Sequence, residues 1–142
     1  MYLNGKWIIP GLVDAHTHIE EWALSRFVAY GVTSVRGLGG SLEQVLALRD
    51  EVELSAVLGP RLYVSGAMLD APPATRDDAI EVPSTGEARQ AIDRLTLLGA
   101  SQAKVYTKID EALLEAILDE ATTLRLPVAG HLGKVDAVTA AR

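Results

Sequence analysis

Asp14-Ala15-His16-Thr17-His18 is where residue types and spacing point most directly to chemistry. Side chains alternate across a strand, so His16 and His18 share one side of a strand that persists to Thr17. Val13 and Ala15 take the other side. Two imidazoles one pleat apart can chelate a single ion, and imidazole is the commonest nitrogen ligand for zinc and related ions. The spacing is open to a plainer reading, two polar histidines at a loop entrance, because a bare His-x-His is a weak motif. Placement favours the metal. The pair follows the apolar run 7–15, on the C-terminal side of a strand, where parallel α/β folds hold their sites.

His131 is the only other histidine, and it ends the run Val128-Ala129-Gly130-His131. Alone it reads more readily as a satisfied structural histidine. All three histidines falling at strand ends is harder to dismiss, since in a closed barrel those ends converge on one pocket. Lys104 is the fourth candidate. In Ala103-Lys104-Val105-Tyr106-Thr107, Val105 faces the helices while Lys104 and Tyr106 face the opposite side, the interior of a barrel. Desolvation lowers the pKa of a buried lysine. The neutral amine is a nucleophile, and it can take up carbon dioxide to become a carbamate, turning a cation into an oxygen ligand. The alternative is a lysine that snorkels to solvent from a strand end.

Two further segments carry weaker signals. Gly37-Leu38-Gly39-Gly40-Ser41 fails the dinucleotide fingerprint, because Leu42 stands where the third glycine belongs, and it lacks the lysine of a phosphate loop. It reads as a tight strand-to-helix connection that brings backbone close to the pocket, with a minor anion-binding role left open. The loop 68–83 is long for a barrel connection, and such loops are often lids or substrate contacts. Its Asp70, Asp77 and Asp78 read as solvated carboxylates in preference to ligands.

The elements that must position these residues alternate regularly. Apolar runs at 7–15, 32–36, 61–67, 103–107 and 127–131 each lead into a helical pattern, over 20–30, 41–57, 85–98, 110–125 and from 135 onward. Gly31 and Gly99 close two of the helices, and Ser41 and Asp110 are candidate N-caps. Strand then helix, five times, means parallel strands joined by crossover helices, so the fold class is α/β. Both an open doubly wound sheet and a partial (β/α)8 TIM-type barrel fit. A full barrel needs ~250 residues, so this chain supplies about five of its eight units.

Composition narrows the partners. The 142 residues are 49% hydrophobic and 23% charged, as in ordinary globular domains. The net charge of -6 argues against nucleic acid or an anionic membrane as the main partner. With no cysteine, neither disulfides nor thiolate metal sites are available. No apolar run approaches the ~20 residues of a spanning helix, and no signal-peptide pattern opens the chain, so the cytoplasm is the expected location.

At this point the residues resemble a known family. Ile9-Pro10-Gly11-Leu12-Val13-Asp14-Ala15-His16-Thr17-His18 resembles the opening motif of the amidohydrolase superfamily. Gly31-Val32-Thr33-Ser34-Val35-Arg36 resembles its second strand. Lys104-Val105-Tyr106 resembles the strand bearing a metal-bridging carboxylated lysine, and Leu126-Pro127-Val128-Ala129-Gly130-His131 the strand supplying the next histidine. The branch it looks most like contains imidazolonepropionase-related and Xaa-Pro dipeptidase-like enzymes. The resemblance implies one or two divalent ions, zinc above all, with His16 and His18 on one ion, His131 on the second and carboxylated Lys104 between them. It implies hydrolysis of an amide or cyclic amide C–N bond in a small-molecule or dipeptide-like substrate, with Tyr106 near the substrate or a developing oxyanion.

The departures are specific. Gly37 stands where relatives usually carry an aspartate. The family's histidine from a sixth strand and aspartate from an eighth have no counterpart here. The whole chain, 1–142, is therefore expected to be one truncated barrel domain, with 1–7 a remnant of a preceding β-sandwich around Asn4-Gly5. Such a piece is expected to bind metal weakly, catalyse little alone, and expose two sheet edges that favour a homo-oligomer or a complementary barrel half. The rival readings are a non-catalytic scaffold that self-associates and an open-sheet nucleotide binder.

Overall fold

In a computed structural model, which describes residues 4–141, the alternation is realised as parallel strands with helices between them. The strands are β1 (Leu12–Thr17), β2 (Val32–Gly37), β3 (Arg61–Val64), β4 (Leu69–Asp70), β5 (Ile80–Glu81), β6 (Ala103–Val105) and β7 (Val128–Gly130). The helices are α1 (Leu24–Ala29), α2 (Leu42–Glu53), α3 (Thr85–Leu97), α4 (Glu111–Thr123) and α5 (Ala137–Ala140). A 3-10 turn, Glu21–Ala23, precedes α1, so the helix expected from residue 20 begins later. Asn4 and Gly5 form a turn, as expected around those residues. Residues 1–3 of the expected remnant lie outside the described ones.

Helix starts follow local chemistry. Ser84 accepts from Glu87 N to cap α3, and Asp110 accepts from Leu113 N to cap α4. Ser41 occupies the N-cap of α2 but makes no capping bond. Helix stops share one device. Ala56 N donates to Glu51 O behind α2, Ala100 N to Leu95 O behind α3, and Leu126 N to Ala121 O behind α4. Each closes a Schellman-type turn through a residue of positive φ: Ser55, Gly99 and Arg125. Only α3 uses glycine for this, which is why α2 and α4 end a few residues before the ends expected from sequence.

The third apolar run is where the sheet changes hands. β1, β2 and β3 form one parallel sheet; β5, β4, β6 and β7 form another. β3 lies in the third run, whereas β4, like β5, falls in the segment 68–83 expected to be a loop; between β3 and β4 stands Gly66, whose φ is +68° and whose missing Cβ would collide with Leu42 Cδ1. Ser65 N still donates to Gly37 O, and Ser101 N to Val64 O, so the strand order runs on from β2 through the third run to β6 and β7. That is the expected order of a partial barrel. Among the described residues β1 and β7 pair on one side only, and no closed barrel forms.

Two cores lie between strands and helices. The larger joins α3 and α4 to β4 and β6 through Leu69, Ile92, Leu95, Val105 and Ile117. The smaller joins β2, β3 and α2 through Val35, Leu62, Val64 and Val45, with Ile19 and Leu24. No helix among the described residues is long and apolar enough to cross a membrane.

Candidate active site

The end of β1 departs from simple alternation. Its pairing with β2 shifts between Asp14, opposite Val35, and Thr17, opposite Gly37. Three steps on β1 thus match two on β2, the signature of a bulge, which re-aims side chains. Asp14 reinforces it by accepting from His16 N at 3.1 Å. The parity argument therefore does not by itself fix where the imidazoles lie. They are nevertheless adjacent: both are exposed, with ring centroids 6.2 Å apart and planes tilted by 57°.

β6 carries the buried member. Lys104 is only 4% exposed, so it does not snorkel to solvent. Ala103 and Val105 on either side of it pack into the larger core, as the alternation required. Burial first, and then the positive charge of Arg36, pushes the Lys104 amine below the ordinary lysine range. None of the ion pairs among the described residues includes it. Arg36 itself donates from Nε to the neutral Gln102 Oε1, and Gln102 Nε2 donates onward to Gly37 O at 3.4 Å.

Two residues after Lys104, the half-buried Tyr106 meets the exposed His131 edge-on, with centroids 5.2 Å apart and planes at 70°. Backbone bonds set this pair. Tyr106 N donates to Leu69 O, and His131 N donates to Val105 O. Lys104 stands opposite Ala129 on β7, so Lys104, Tyr106 and His131 occupy neighbouring positions across two strands. The five sequence candidates thus fall into two groups: His16 on β1 with His18 just after it, and Lys104 on β6 with Tyr106 just after β6 and His131 just after β7. Among the described residues no three His, Asp or Glu side chains gather closely enough to hold one ion.

Two other positions bear on the site. At Gly37 a Cβ would collide with Ile19 Cδ1, so the Ile19 side chain lies against that backbone. Asp70 is not solvated. It is 0% exposed and accepts from Ala71 N at 3.1 Å, Thr75 N at 2.9 Å and Lys108 N at 2.8 Å. Burial alone would raise its pKa, but the bonds from Thr75, Lys108 and Ala71 together outweigh burial and hold the carboxyl below the usual aspartate range. Sequence gave one faint signal for this, an aspartate closing an apolar run, but the donors 5 and 38 residues away were not visible in it.

An amidohydrolase family model matches residues 7–142. The chain belongs to the amidohydrolase family. Among its relatives is an imidazolonepropionase from Rhizorhabdus wittichii, 30% identical over 97% of this chain and 39% of that protein. Another, from Bradyrhizobium diazoefficiens, is 32% identical over 94% of this chain and 37% of that one. Among solved structures, bottromycin amidohydrolase superposes with a TM-score of 0.79 at 27% identity, over 87% of this chain and 28% of its own. The chain thus spans less than two-fifths of the curated amidohydrolase relatives named here.

Proposed function

We propose that this chain carries the first half of a divalent-metal amidohydrolase site that hydrolyses a cyclic amide or other amide C–N bond. The carrying observation is Lys104, a buried amine without an acidic partner, two residues before Tyr106 and one strand from His131. A buried ammonium without a counter-charge is costly, so the site favours the neutral amine. A neutral amine can add carbon dioxide: an N–C bond forms, a proton leaves to solvent, and the cation becomes an anionic oxygen donor.

The donor chemistry fits a hard-to-borderline divalent ion, zinc above all. His16 and His18 would hold one ion, His131 a second, and carboxylated Lys104 would bridge them. When bound, the metal supplies Lewis acidity, bringing the pKa of water toward ~7 and polarising a carbonyl. The protein's own part is to present these groups. The β1 bulge holds the two imidazoles together, and the contact of Tyr106 with His131 orients that imidazole and leaves the phenol for a substrate oxygen. The imidazolonepropionase names of two relatives favour a small cyclic amide over a dipeptide-like substrate.

The open side of β1 supports one proposal about assembly. Leu12 is 54% exposed and Val13 68%, with Trp7, Ile8 and Ile9 exposed before them. Unpaired strand edges recruit further strands. The chain acts with a complementary barrel half or with a second copy, in the cytoplasm. The rival reading is a non-catalytic scaffold that self-associates through the same open edge and binds no metal.

Elemental analysis after equilibrium dialysis against zinc and bicarbonate separates the two. Retained zinc that falls to background in His16→Ala/His18→Ala, and falls partly in Lys104→Met, is the expected result. Wild-type chain free of metal after reconstitution with zinc and bicarbonate would overturn the enzyme reading.

A further inference from the structure

The buried carboxylate of Asp70 ties together two segments that sequence leaves unconnected. Oδ1 accepts from Ala71 N and from Lys108 N, and Oδ2 accepts from Thr75 N. One side chain thus holds both the start of the long loop after β4 and the turn after β6. Two more contacts join the same segments, and a third ties the loop to β5. Thr75 Oγ1 lies 3.2 Å from Thr107 Oγ1, Lys108 Nζ donates to Pro73 O, and Ala74 N donates to Glu81 Oε1 at 2.7 Å. The far end of the loop returns as β5 beside β4, with Ile80 N on Met68 O and Val82 N on Asp70 O. A segment fixed at both ends and along its length is a wall, not a lid. These contacts favour the substrate-contact role over the lid among the two considered for it from sequence.

The turn that Asp70 holds begins at Tyr106, whose ring packs against His131 and whose N–H is bonded to Leu69, the residue before Asp70. Gly133, two residues past His131, approaches the Thr107 backbone so closely that a Cβ would collide with the Thr107 carbonyl. The Tyr106–Lys108 turn is therefore gripped from below by β4, from one flank by the loop and from the other by the segment after β7. A carboxylate accepting three N–H groups in a dry site is a strong and directional clamp.

We infer that Asp70 is a positioning residue: it locks the 71–79 loop to the Thr107–Lys108 turn and thereby sets the Tyr106–His131 pair at the mouth of the site. The inference rests on the proposed function for its purpose, but not for its test, which needs neither metal nor turnover. The loop then forms a fixed rim of the substrate cleft, and Thr75, Arg76 and Asp78 at its tip are the side chains it offers to a ligand, Arg76 and Asp78 already paired at 3.1 Å.

The test is NMR on the chain with Asp70→Asn, which keeps shape but removes the charge and one acceptor. The imidazole resonances of His131 should move while those of His16 and His18 stay, and the Tyr106–His131 ring Overhauser effect should weaken at least twofold. Amide exchange at Thr75 and Lys108 should speed up tenfold or more, with the α3 and α4 amides unchanged. Should Asp70→Asn fail to fold, Thr107→Val cuts the loop-to-turn contact at its exposed end and should move the same His131 resonances. Unmoved His131 resonances in whichever variant folds would overturn the inference. Failure of zinc binding, with His131 still responding, would sink the metal reading alone.

Discussion

β1 and β6 are both strands of one parallel architecture, yet β6 is buried at every position and β1 is largely exposed. The difference lies in neighbours more than in residue type. β6 has β4 on one side, β7 on the other, and α3 and α4 packed behind it. Among the described residues β1 pairs only with β2, so Leu12 and Val13, apolar as they are, contribute little by burial. A strand in this fold is made stable by what flanks it, and the hydrophobic effect rewards only area removed from water. The consequence for the site is an asymmetry. Lys104, Tyr106 and His131 sit on the part of the molecule with a finished core, whereas His16 and His18 sit on the part that still has an open flank.

Truncations on the two sides should break the comparison open. Ile117, fully buried on α4 behind β6, belongs to the finished core. Ile117→Ala should cost about 2–5 kcal/mol in denaturant unfolding, the range for emptying a packed site. Acid should come next, through Asp70. Its carboxyl titrates lower in the fold than the ordinary value of 3.8, so its contribution is fully present above that pH and is lost as pH falls through the folded value. Thermal unfolding followed from about pH 5 down to about pH 2.5 should therefore show a steeper fall for wild type than for Asp70→Asn. Ser84→Ala removes the cap of α3 and should cost about 1 kcal/mol by the same denaturant measurement. The smallest effect sharpens the contrast: Val13→Ala should change stability by less than about 0.5 kcal/mol. A loss at Val13 approaching that at Ile117 would show that β1 is covered in solution, and light scattering would then identify a partner copy.

The parallel alternation was legible because it needs only local patterns: apolar runs, glycines and cap residues in the right order. The face that Lys104 takes was legible for the same reason, since period-two alternation places it opposite Val105, but alternation left burial and snorkelling open and only the fold decides for burial. What escaped the sequence was non-local or two-sided. The bulge at the end of β1 depends on register with β2, so the His16–His18 spacing suggested a regular pleat that does not form. The ends of α2 and α4 depend on Ser55 and Arg125 taking a backbone conformation that their types do not advertise. Asp70 looked like any loop carboxylate, because the Lys108 amide that buries it comes from a different βα unit.

Gly37 and Ile19 have a consequence for how this lineage can change. The space an aspartate would need at position 37 already belongs to the Ile19 side chain. An aspartate at 37 alone must therefore displace the Ile19 side chain, and a trimmed residue at 19 alone leaves a void. The two positions are mutationally entangled, so a library randomised at both should recover acidic residues at 37 only alongside small ones at 19.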